Sequence, residues 1–204
     1  MCPVENEYKF TSDDVPDVYL CIASIKTFLK KKNLDYSVSE KHITDYYYDS
    51  KNMEITDTGC FLRKRIDKSG KCKLTIKKPI LNKESMSREE IERESDGSFG
   101  DLMDFSAAHY PVVEVIDDPM LVLLSDRTVF SMKDGTDAKL TFDVCKYIDG
   151  SRSKSFWEIE FEIITDDAQS DFDTYGIKDF ITNGLGFKTV TESKYSRGLK
   201  WKRS

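Results

Sequence analysis

The sequence predicts an α+β domain in which a large antiparallel sheet carries a few helices. Nine stretches have the apolar–polar alternation of half-buried strands. Turn sequences such as Asp67-Lys68-Ser69-Gly70 and Lys133-Asp134-Gly135 join several of them, as in β-hairpins. No Pro/Gly/Ser-rich linker and no fixed-period repeat divides the 204 residues, so residues 1–204 are expected to form a single domain.

Four segments are predicted to be helical. The first begins at the polar residues 11–14, continues through apolar residues three or four positions apart between Val15 and Leu29, and ends at the basic residues 30–32. The others are 101–108, 120–124 and 170–182, the last ending at Asn183-Gly184. The predicted strands are 4–10, 43–49, 60–67, 71–78, 87–95, 111–116, 126–132, 138–147 and 156–164.

Charge is concentrated on one face of each predicted strand. Glu158, Glu160 and Glu162 share a face, because alternate residues of a strand point the same way. Such neighbours are about 6.5–7 Å apart, so each like pair costs roughly 2–2.5 kcal/mol at an effective dielectric constant of about 20. An ordinary sheet with one solvated face also alternates, but a row of like charges is a poor choice for stability and a reasonable metal site.

Acid-rich and base-rich rows lie on different strands. The acidic rows are 5/7, 90/92 and 158/160/162, and the basic rows are 63/65 and 73/77. If the sheet curls so that these faces converge, it can enclose a wet interior that attracts a polyanion together with a divalent cation.

Composition excludes several classes of function. The 31 basic and 37 acidic residues give a net charge of −6, which argues against general nucleic-acid binding but not against a local basic channel. The chain has no apolar run long enough to span a membrane and no secretory signal at its start, so a cytoplasmic protein is expected. Five scattered cysteines and two histidines make a zinc site improbable, and any metal should be a hard ion bound through oxygen.

Several short motifs follow one another along the chain. They are Glu5-x-Glu7-x-Lys9, Tyr47-Tyr48-Asp49, Gly59-x-x-Leu62-Arg63-x-Arg65, Leu74-Thr75-Ile76-Lys77-x-Pro79, Arg88-x-Glu90-x-Glu92, Asp126-Arg127, Leu140-Thr141-Phe142-Asp143, Glu158-x-Glu160-x-Glu162 and Ser193-Lys194-Tyr195-x-x-Arg197. In this order and combination the sequence resembles the CYTH domain, also called the triphosphate tunnel metalloenzyme family.

The resemblance implies an eight-stranded antiparallel β-barrel that forms a tunnel, with helices outside. It implies that a triphosphate binds inside and that the chemistry depends on Mg²⁺ or Mn²⁺. The residues implied to contact phosphate are Lys9, Arg63, Arg65, Lys77, Arg88, Arg127 and Lys194. Those implied to hold the metal are Glu5, Glu7, Glu90, Glu92, Asp143, Glu158 and Glu160, and the catalytic set is Glu5, Glu7, Lys9 and Glu160. Lys73 and Lys139 share these faces but lie outside the family pattern, and we expect them to be solvated lysines at the rim.

The expected function is metal-dependent hydrolysis of tripolyphosphate or of a small organic triphosphate such as thiamine triphosphate or a nucleotide. A class IV-type adenylate cyclase and a catalytically silent polyphosphate- or nucleotide-binding module are alternatives. Cyclases of this type carry His-Phe where this chain has Tyr46-Tyr47. We expect no membrane or nucleic-acid partner. The sequence leaves a homodimer open, and it leaves open which two of Glu158, Glu160 and Glu162 bind the metal.

Overall fold

A computed structural model describes residues 6–14, 16–79, 88–133, 138–163 and 176–204. The strands are β1 (Asn6–Ser12), β2 (Tyr36–Tyr48), β3 (Phe61–Asp67), β4 (Cys72–Pro79), β5 (Arg88–Ser95), β6 (Leu121–Met132), β7 (Ala138–Asp149), β8 (Arg152–Ile163) and β9 (Lys188–Val190). The helices are α1 (Val18–Lys31), α2 (Glu54–Asp57), α3 (Phe99–Ala107), α4 (Ile177–Asp179) and α5 (Lys194–Arg203), and α4 continues as a π-helix, Phe180–Gly184.

All nine strands form one antiparallel sheet in the order β5-β4-β3-β2-β6-β7-β8-β1-β9. The predicted α+β class with an antiparallel sheet is therefore confirmed. The predicted closure into an eight-stranded barrel is wrong, because no ladder joins the edges β5 and β9 among the described residues. The ninth strand explains the difference: Lys9 of β1 pairs with Val190 of β9, so β1 already has a neighbour on its outer side.

The sheet curls, and its two faces have different surroundings. On the outer face, α1 packs with Cys21, Ile25 and Leu29 against a cluster that includes Phe142 and Ile159. At the other end of the sheet, Ile55 of α2 and Leu102 and Phe105 of α3 cover Leu74 and Ile76 of β4. Burial of the apolar faces under helices leaves the charged rows on the inner face.

Helix α5 fills one end of the inner face. Tyr195 and Leu199 join an apolar cluster with Tyr47, Leu121 and Tyr147, residues that point inward from β2, β6 and β7. The Tyr47 and Tyr195 rings stack with centroids 4.7 Å apart. The inner face is therefore apolar and closed at the α5 end and charged over the rest of its length.

Asp49, part of the Tyr-Tyr-Asp motif, has a structural role. Its buried carboxylate accepts hydrogen bonds from the backbone N–H groups of Ile55 and Thr56, both at 2.9 Å, at the start of α2. The Thr56 hydroxyl in turn lies 2.7 Å from the hydroxyl of Tyr195. These contacts fasten α2 to the helix that closes the inner face.

Several segment predictions are corrected. Residues 120–124 are not helical, because β6 begins at Leu121 and pairs with both β2 and β7; an apolar run this short cannot distinguish helix from strand. Residues 111–116 form no strand, and only a single bridge joins Val115 to Ser50. Strand β2 begins at Tyr36 rather than at residue 43, because its first residues are mostly polar and show no apolar–polar alternation. The first helix starts at Val18, capped by Asp17 rather than by residues 11–14.

The remaining segment predictions have mixed outcomes. The hairpin at 67–70 is confirmed, and Gly70 there has φ of 82°. Residues 4–5, 15, 87, 134–135, 164 and 170–175, which belong to predicted elements, lie outside the described ranges. Of the predicted helix 170–182, the described part is helical from Ile177. Strand β9 and helix α5 were not predicted. Among the described residues, no helix is both long enough and apolar enough to cross a bilayer.

The close approach of α5 to the sheet predicts opposite effects of alanine at two helical glycines. A Cβ at Gly198 in α5 would lie 2.8 Å from the Tyr147 ring and closer still to Leu121, whereas one at Gly100 in α3 would meet only Ser98, at 3.9 Å. Gly198→Ala should lower the free energy of unfolding by about 1 kcal/mol or more through overpacking. Gly100→Ala should raise it by roughly 0.4–1 kcal/mol by reducing chain entropy. Urea denaturation of both variants measures this, and a stabilised Gly198→Ala would contradict the closed end.

Candidate active site

The charged part of the inner face encloses a cavity of about 310 Å³. Its described lining contains nine basic and six acidic side chains, although the whole chain carries a net charge of −6. The basic residues are Lys9, Lys41, Arg63, Arg65, Lys73, Lys77, Arg127, Lys139 and Lys194; the acidic ones are Glu7, Asp45, Glu90, Glu92, Glu160 and Glu162. The chain is acidic on average but has a locally basic cavity, a possibility that composition alone left open.

The curled sheet brings most of the expected site residues together. Those that line the cavity are Glu7, Lys9, Arg63, Arg65, Lys77, Glu90, Glu92, Arg127, Glu160 and Lys194. Asp143 and Glu158 are fully buried just behind the wall, in contact with Lys194. Glu5 and the side chain of Arg88 lie outside the part of the chain that the structure describes.

Strand register explains why these residues meet. Lys9 of β1 is directly opposite Glu160 of β8, and Asp143 of β7 is opposite both Glu158 and Arg127 of its two neighbouring strands. Side chains at directly opposed positions share a face and lie about 4.5–5.5 Å apart at their Cβ atoms. The alternating motifs thus align acids and cations across β1, β8, β7 and β6.

Lys194 is the centre of the buried charge cluster. Its Nζ lies 2.8 Å from Asp143 Oδ2, 2.8 Å from Glu160 Oε1 and 2.7 Å from Glu158 Oε1. The side chain of Ser193 caps α5 by accepting a hydrogen bond from the Ser196 N–H, which fixes the helix start and aims Lys194 at the three acids. These contacts place Lys194 at the base of the cavity with a side chain that is 10% exposed.

Two arginines complete this cluster. Arg127 donates to both oxygens of Asp143, at 2.7 Å each, and to Glu160 Oε2 at 2.9 Å. Arg197 of α5 binds Glu158 and donates to Thr11 Oγ1 at 3.0 Å. Burial alone raises the pKa of Glu160, but the charges of Lys194 and Arg127 outweigh burial and hold it well below its ordinary value of 4.5.

The opposite wall carries a second set of ion pairs. Arg65 donates from Nε and Nη2 to Asp45, at 2.6 and 2.8 Å, in a bidentate fork. Arg63 makes looser contacts, with Nη2 3.4 Å from Glu90 and 3.7 Å from Glu92. Lys77 lies 2.8 Å from Glu90. Tight and loose pairs therefore coexist in the same cavity.

The two walls influence each other across the cavity. Burial lowers the pKa of Lys77, but Glu7 of β1 and Glu90 raise it more, so that the net shift is upward. Strands β1 and β4 are far apart in the sheet order, so this interaction depends on the curl of the sheet. The cavity between these walls is therefore bounded by charge on both sides.

Sequence reasoning missed Asp45 and Lys41 among the residues that line the cavity. Lys41 lies among cations, and its pKa is lowered by burial first and then by Arg127 and Arg65. Asp45 lies in the predicted strand 43–49 on the same face as Tyr47, so parity could have revealed it, whereas Lys41 precedes the predicted start of that strand. Lys73 and Lys139, expected at the rim, line the cavity with side chains 46% and 42% exposed, which places them at its mouth.

The side-chain donors available for a metal are oxygen atoms, mainly of carboxylates, because the described lining contains neither His nor Cys. Such donors suit Mg²⁺ or Mn²⁺. Within the described ranges, no group of three acidic, His or Cys side chains is arranged to hold a metal ion as the structure stands. The residues fit an ion that shares its coordination with a substrate and water, since Mg²⁺ commonly takes only one or two carboxylates.

A family model described as the CYTH domain matches residues 22–194. The chain belongs to the CYTH family. The match covers the strands from β2 to β9 and reaches the first residue of α5, so it includes most of the cavity lining but not β1, which carries Glu7 and Lys9. No curated protein matches the chain.

Solved structures share the CYTH fold along nearly the whole chain. A Pyrococcus horikoshii OT3 protein has a TM-score of 0.58 at 19% identity, covering 98% of this chain and 99% of its own. A Hippeastrum protein named as a candidate adenylyl cyclase, and described as having a dominant triphosphatase activity, has a TM-score of 0.60 at 16% identity over 95% and 93%. A Vibrio parahaemolyticus protein named as a candidate adenylate cyclase has a TM-score of 0.54 at 16% identity over 96% and 98%. At these identities the likeness establishes the fold.

The Asp45–Arg65 pair predicts a pH-dependent stability. Burial raises the pKa of Asp45, but Arg63 and Arg65 outweigh it, so the folded-state pKa lies below the ordinary value of 3.8. The stabilisation is therefore fully present above pH 3.8 and is lost as pH falls through the lower folded-state value. At neutral pH, Asp45→Asn should cost roughly 2–3 kcal/mol, because it leaves buried guanidinium charge unpaired.

Urea denaturation of the wild type and Asp45→Asn across a pH series measures this effect. The difference between the two proteins should be constant near neutral pH and should shrink below pH 3.8. A difference that does not depend on pH would mean that the ionised pair is not what stabilises this wall.

Proposed function

We propose that this CYTH protein hydrolyses a triphosphate in the cavity with the help of a divalent metal ion. The observation that supports this proposal most directly is the excess of basic over acidic side chains around one enclosed space in an acidic chain. A polyanion is the ligand that such a field attracts. The acids on the same walls supply oxygen ligands for the cation that accompanies a triphosphate.

The geometry of the existing ion pairs suggests how the phosphates bind. The Arg63 guanidinium lies 3.4 and 3.7 Å from the carboxylates of Glu90 and Glu92, which are long contacts, so it can exchange them for phosphate oxygens at small cost. Lys77, 2.8 Å from Glu90, faces the same cavity and would bind phosphate as a point charge. Arg65 and Arg127 are held by bidentate contacts and would present their remaining N–H groups in fixed orientation. Lys9, Arg88 and Lys194 complete the proposed phosphate-binding set.

The proposed metal ligands are drawn from Glu5, Glu7, Glu90, Glu92, Asp143, Glu158 and Glu160. Of these, Glu7 and Glu160 face the cavity from neighbouring strands, β1 and β8. These carboxylates would hold a divalent ion together with the substrate, and the ion would supply the charge neutralisation that phosphoryl transfer requires more than a covalent nucleophile. We propose Mg²⁺ or Mn²⁺ because the donors are hard oxygen atoms.

The chain's own residues would orient the attacking water and exclude bulk water from the cavity. Glu5, Glu7 and Glu160 would accept hydrogen bonds from an attacking water, and Lys9, which lies 2.6 Å from Glu7, would balance charge beside it. Helix α5 closes one end of the cavity with Tyr195 and Leu199, which keeps bulk water from that side. Water as the nucleophile fits a described lining without His or Cys.

The cavity favours a small substrate. At about 310 Å³ it lies at the lower end of ligand-site volumes, and α5 prevents a polymer from passing through. Tripolyphosphate or a small organic triphosphate is therefore the proposed substrate class, rather than long RNA.

The free cysteines bear on the proposed location. The described cysteines, Cys21, Cys60, Cys72 and Cys145, are buried free thiols, which fits a reducing, cytoplasmic environment.

A matched pair of glutamate variants tests the reaction. Glu7 faces the cavity, whereas Glu89 is exposed and lies on the outer face of β5. Phosphate release is measured from tripolyphosphate, thiamine triphosphate and ATP with Mg²⁺ or Mn²⁺. Glu7→Gln should reduce the turnover by about 100-fold or more, in the range of a lost water-orienting group, while Glu89→Gln should retain wild-type turnover.

The same assay separates the alternatives. Glu7→Gln should still be stabilised thermally by tripolyphosphate, because the cations remain. A wild-type protein that is stabilised but releases no phosphate from any substrate would be a binding module instead. Formation of pyrophosphate and cyclic AMP from ATP would identify a cyclase. EDTA should abolish turnover, and hydrolysis that persists after metal removal would contradict the proposed mechanism.

A further inference from the structure

The base of the cavity holds an ammonium group inside a ring of three carboxylates. Asp143 and Glu158 are fully buried, and Glu160 is nearly so. Each contributes one oxygen at 2.7–2.8 Å from Lys194 Nζ. Glu158 Oε1 makes this contact without hydrogen-bond geometry, so the interaction there is one of charge alone. Carboxylate oxygens that converge on one cation are the kind of donor that a hard divalent ion prefers.

The spacing shows that this ring is adjusted to the ammonium group. Oxygen atoms 2.7–2.8 Å from a central nitrogen are too far apart for Mg²⁺, whose ligands lie at about 2.0–2.1 Å. This explains why these acids do not form a metal cage among the described residues. The ring would contract around a metal only after Lys194 had left it.

Charge balance leads to the same conclusion. Asp143, Glu158 and Glu160 are neutralised by Arg127, Arg197 and Lys194, all in contact with them. Adding a divalent ion to this neutral cluster would leave two uncompensated positive charges in a buried site, which is costly. Departure of the Lys194 ammonium would halve that excess.

The Lys194 side chain has space to move away from the three acids. Its side chain also lines the cavity, so the ammonium can swing into the space proposed for the triphosphate while the backbone of α5 stays in position. We infer that Lys194 and the divalent metal compete for Asp143, Glu158 and Glu160, and that Lys194 thereby sets the metal affinity of the site. The inference rests on the proposed function, since it gives the acids a metal to bind and the lysine a phosphate.

Metal binding without substrate tests this competition. Free Mn²⁺ is measured by electron paramagnetic resonance during titration of the wild type and three variants. Lys194→Met removes the charge and keeps the length of the side chain. Lys194→Arg keeps the charge. Lys139→Met removes a charge from the cavity mouth, where Lys139 lies 3.6 Å from Glu162 and does not contact the three acids.

Lys194→Met should bind Mn²⁺ about tenfold more tightly than the wild type or better, because a contacting positive charge has been removed. Lys194→Arg should stay within about threefold of the wild type, and Lys139→Met should gain much less than Lys194→Met because its charge is more distant. Equal or weaker binding by folded Lys194→Met would overturn the competition. If Lys194→Met is unfolded in EDTA, Mn²⁺ should restore the fold, and failure to restore it would equally contradict the inference.

Labelling of the wild-type protein gives an independent readout. Amine-reactive modification followed by mass spectrometry should show Lys194 protected in EDTA and labelled several-fold faster with Mg²⁺, while exposed Lys30 reacts equally in both conditions. Unchanged protection of Lys194 in saturating Mg²⁺ would overturn the inference and leave the triphosphatase proposal standing. Absence of Mn²⁺ binding in every variant would overturn the inference, and its absence also when tripolyphosphate is present would overturn the metal-dependent triphosphatase proposal as well.

Discussion

The burial of paired charge on the inner face of one curled sheet is the constraint on which the rest of the structure depends. Isolated charges cannot be buried at acceptable cost, so each cation in the wall needs an acid within reach. The cross-strand register supplies that acid, as when Arg127 is placed opposite Asp143. Replacing such pairs by apolar residues is often neutral or stabilising. The concentration of so many of them around one cavity therefore favours a role in ligand binding over a role in stability.

Apolar packing elsewhere in the fold offsets the free-energy cost of these buried charges. Helices α1 and α3 cover the outer face, and α5 fills the apolar end of the inner face, so the charged segment is enclosed without contributing much of the core. Helix α5 links the two regions. Tyr195 and Leu199 belong to its apolar contact, while Lys194 and Arg197 reach the buried acids. Helix α5 thus closes the cavity with apolar side chains and supplies positive charge at its base.

Much of this could be predicted from the sequence, because alternation fixes which residues share a face. The inward placement of Arg63, Lys77 and Glu160 follows from parity once the strands are recognised. Three features could not be predicted in this way. Strand β2 extends back to Tyr36 through residues without alternating apolar partners, which hid Lys41. The pairing of Lys194 with Asp143 and Glu158 depends on where α5 packs on the sheet, which is a tertiary contact between segments distant in sequence. The open edge depends on β9, which has only three residues.

The most direct test of the account compares two adjacent lysines of β4. Lys77 points into the cavity, whereas Lys78 points outward and lies over the Tyr110 ring. Lys77→Met and Lys78→Met make the same change in charge and size, and calorimetric titration with tripolyphosphate in the presence of Mg²⁺ measures their affinities. The account predicts an affinity roughly ten- to a hundredfold weaker for Lys77→Met, as for the loss of a charge-assisted contact, and an unchanged affinity for Lys78→Met. Equal effects of the two substitutions would show that the inner face does not bind the triphosphate.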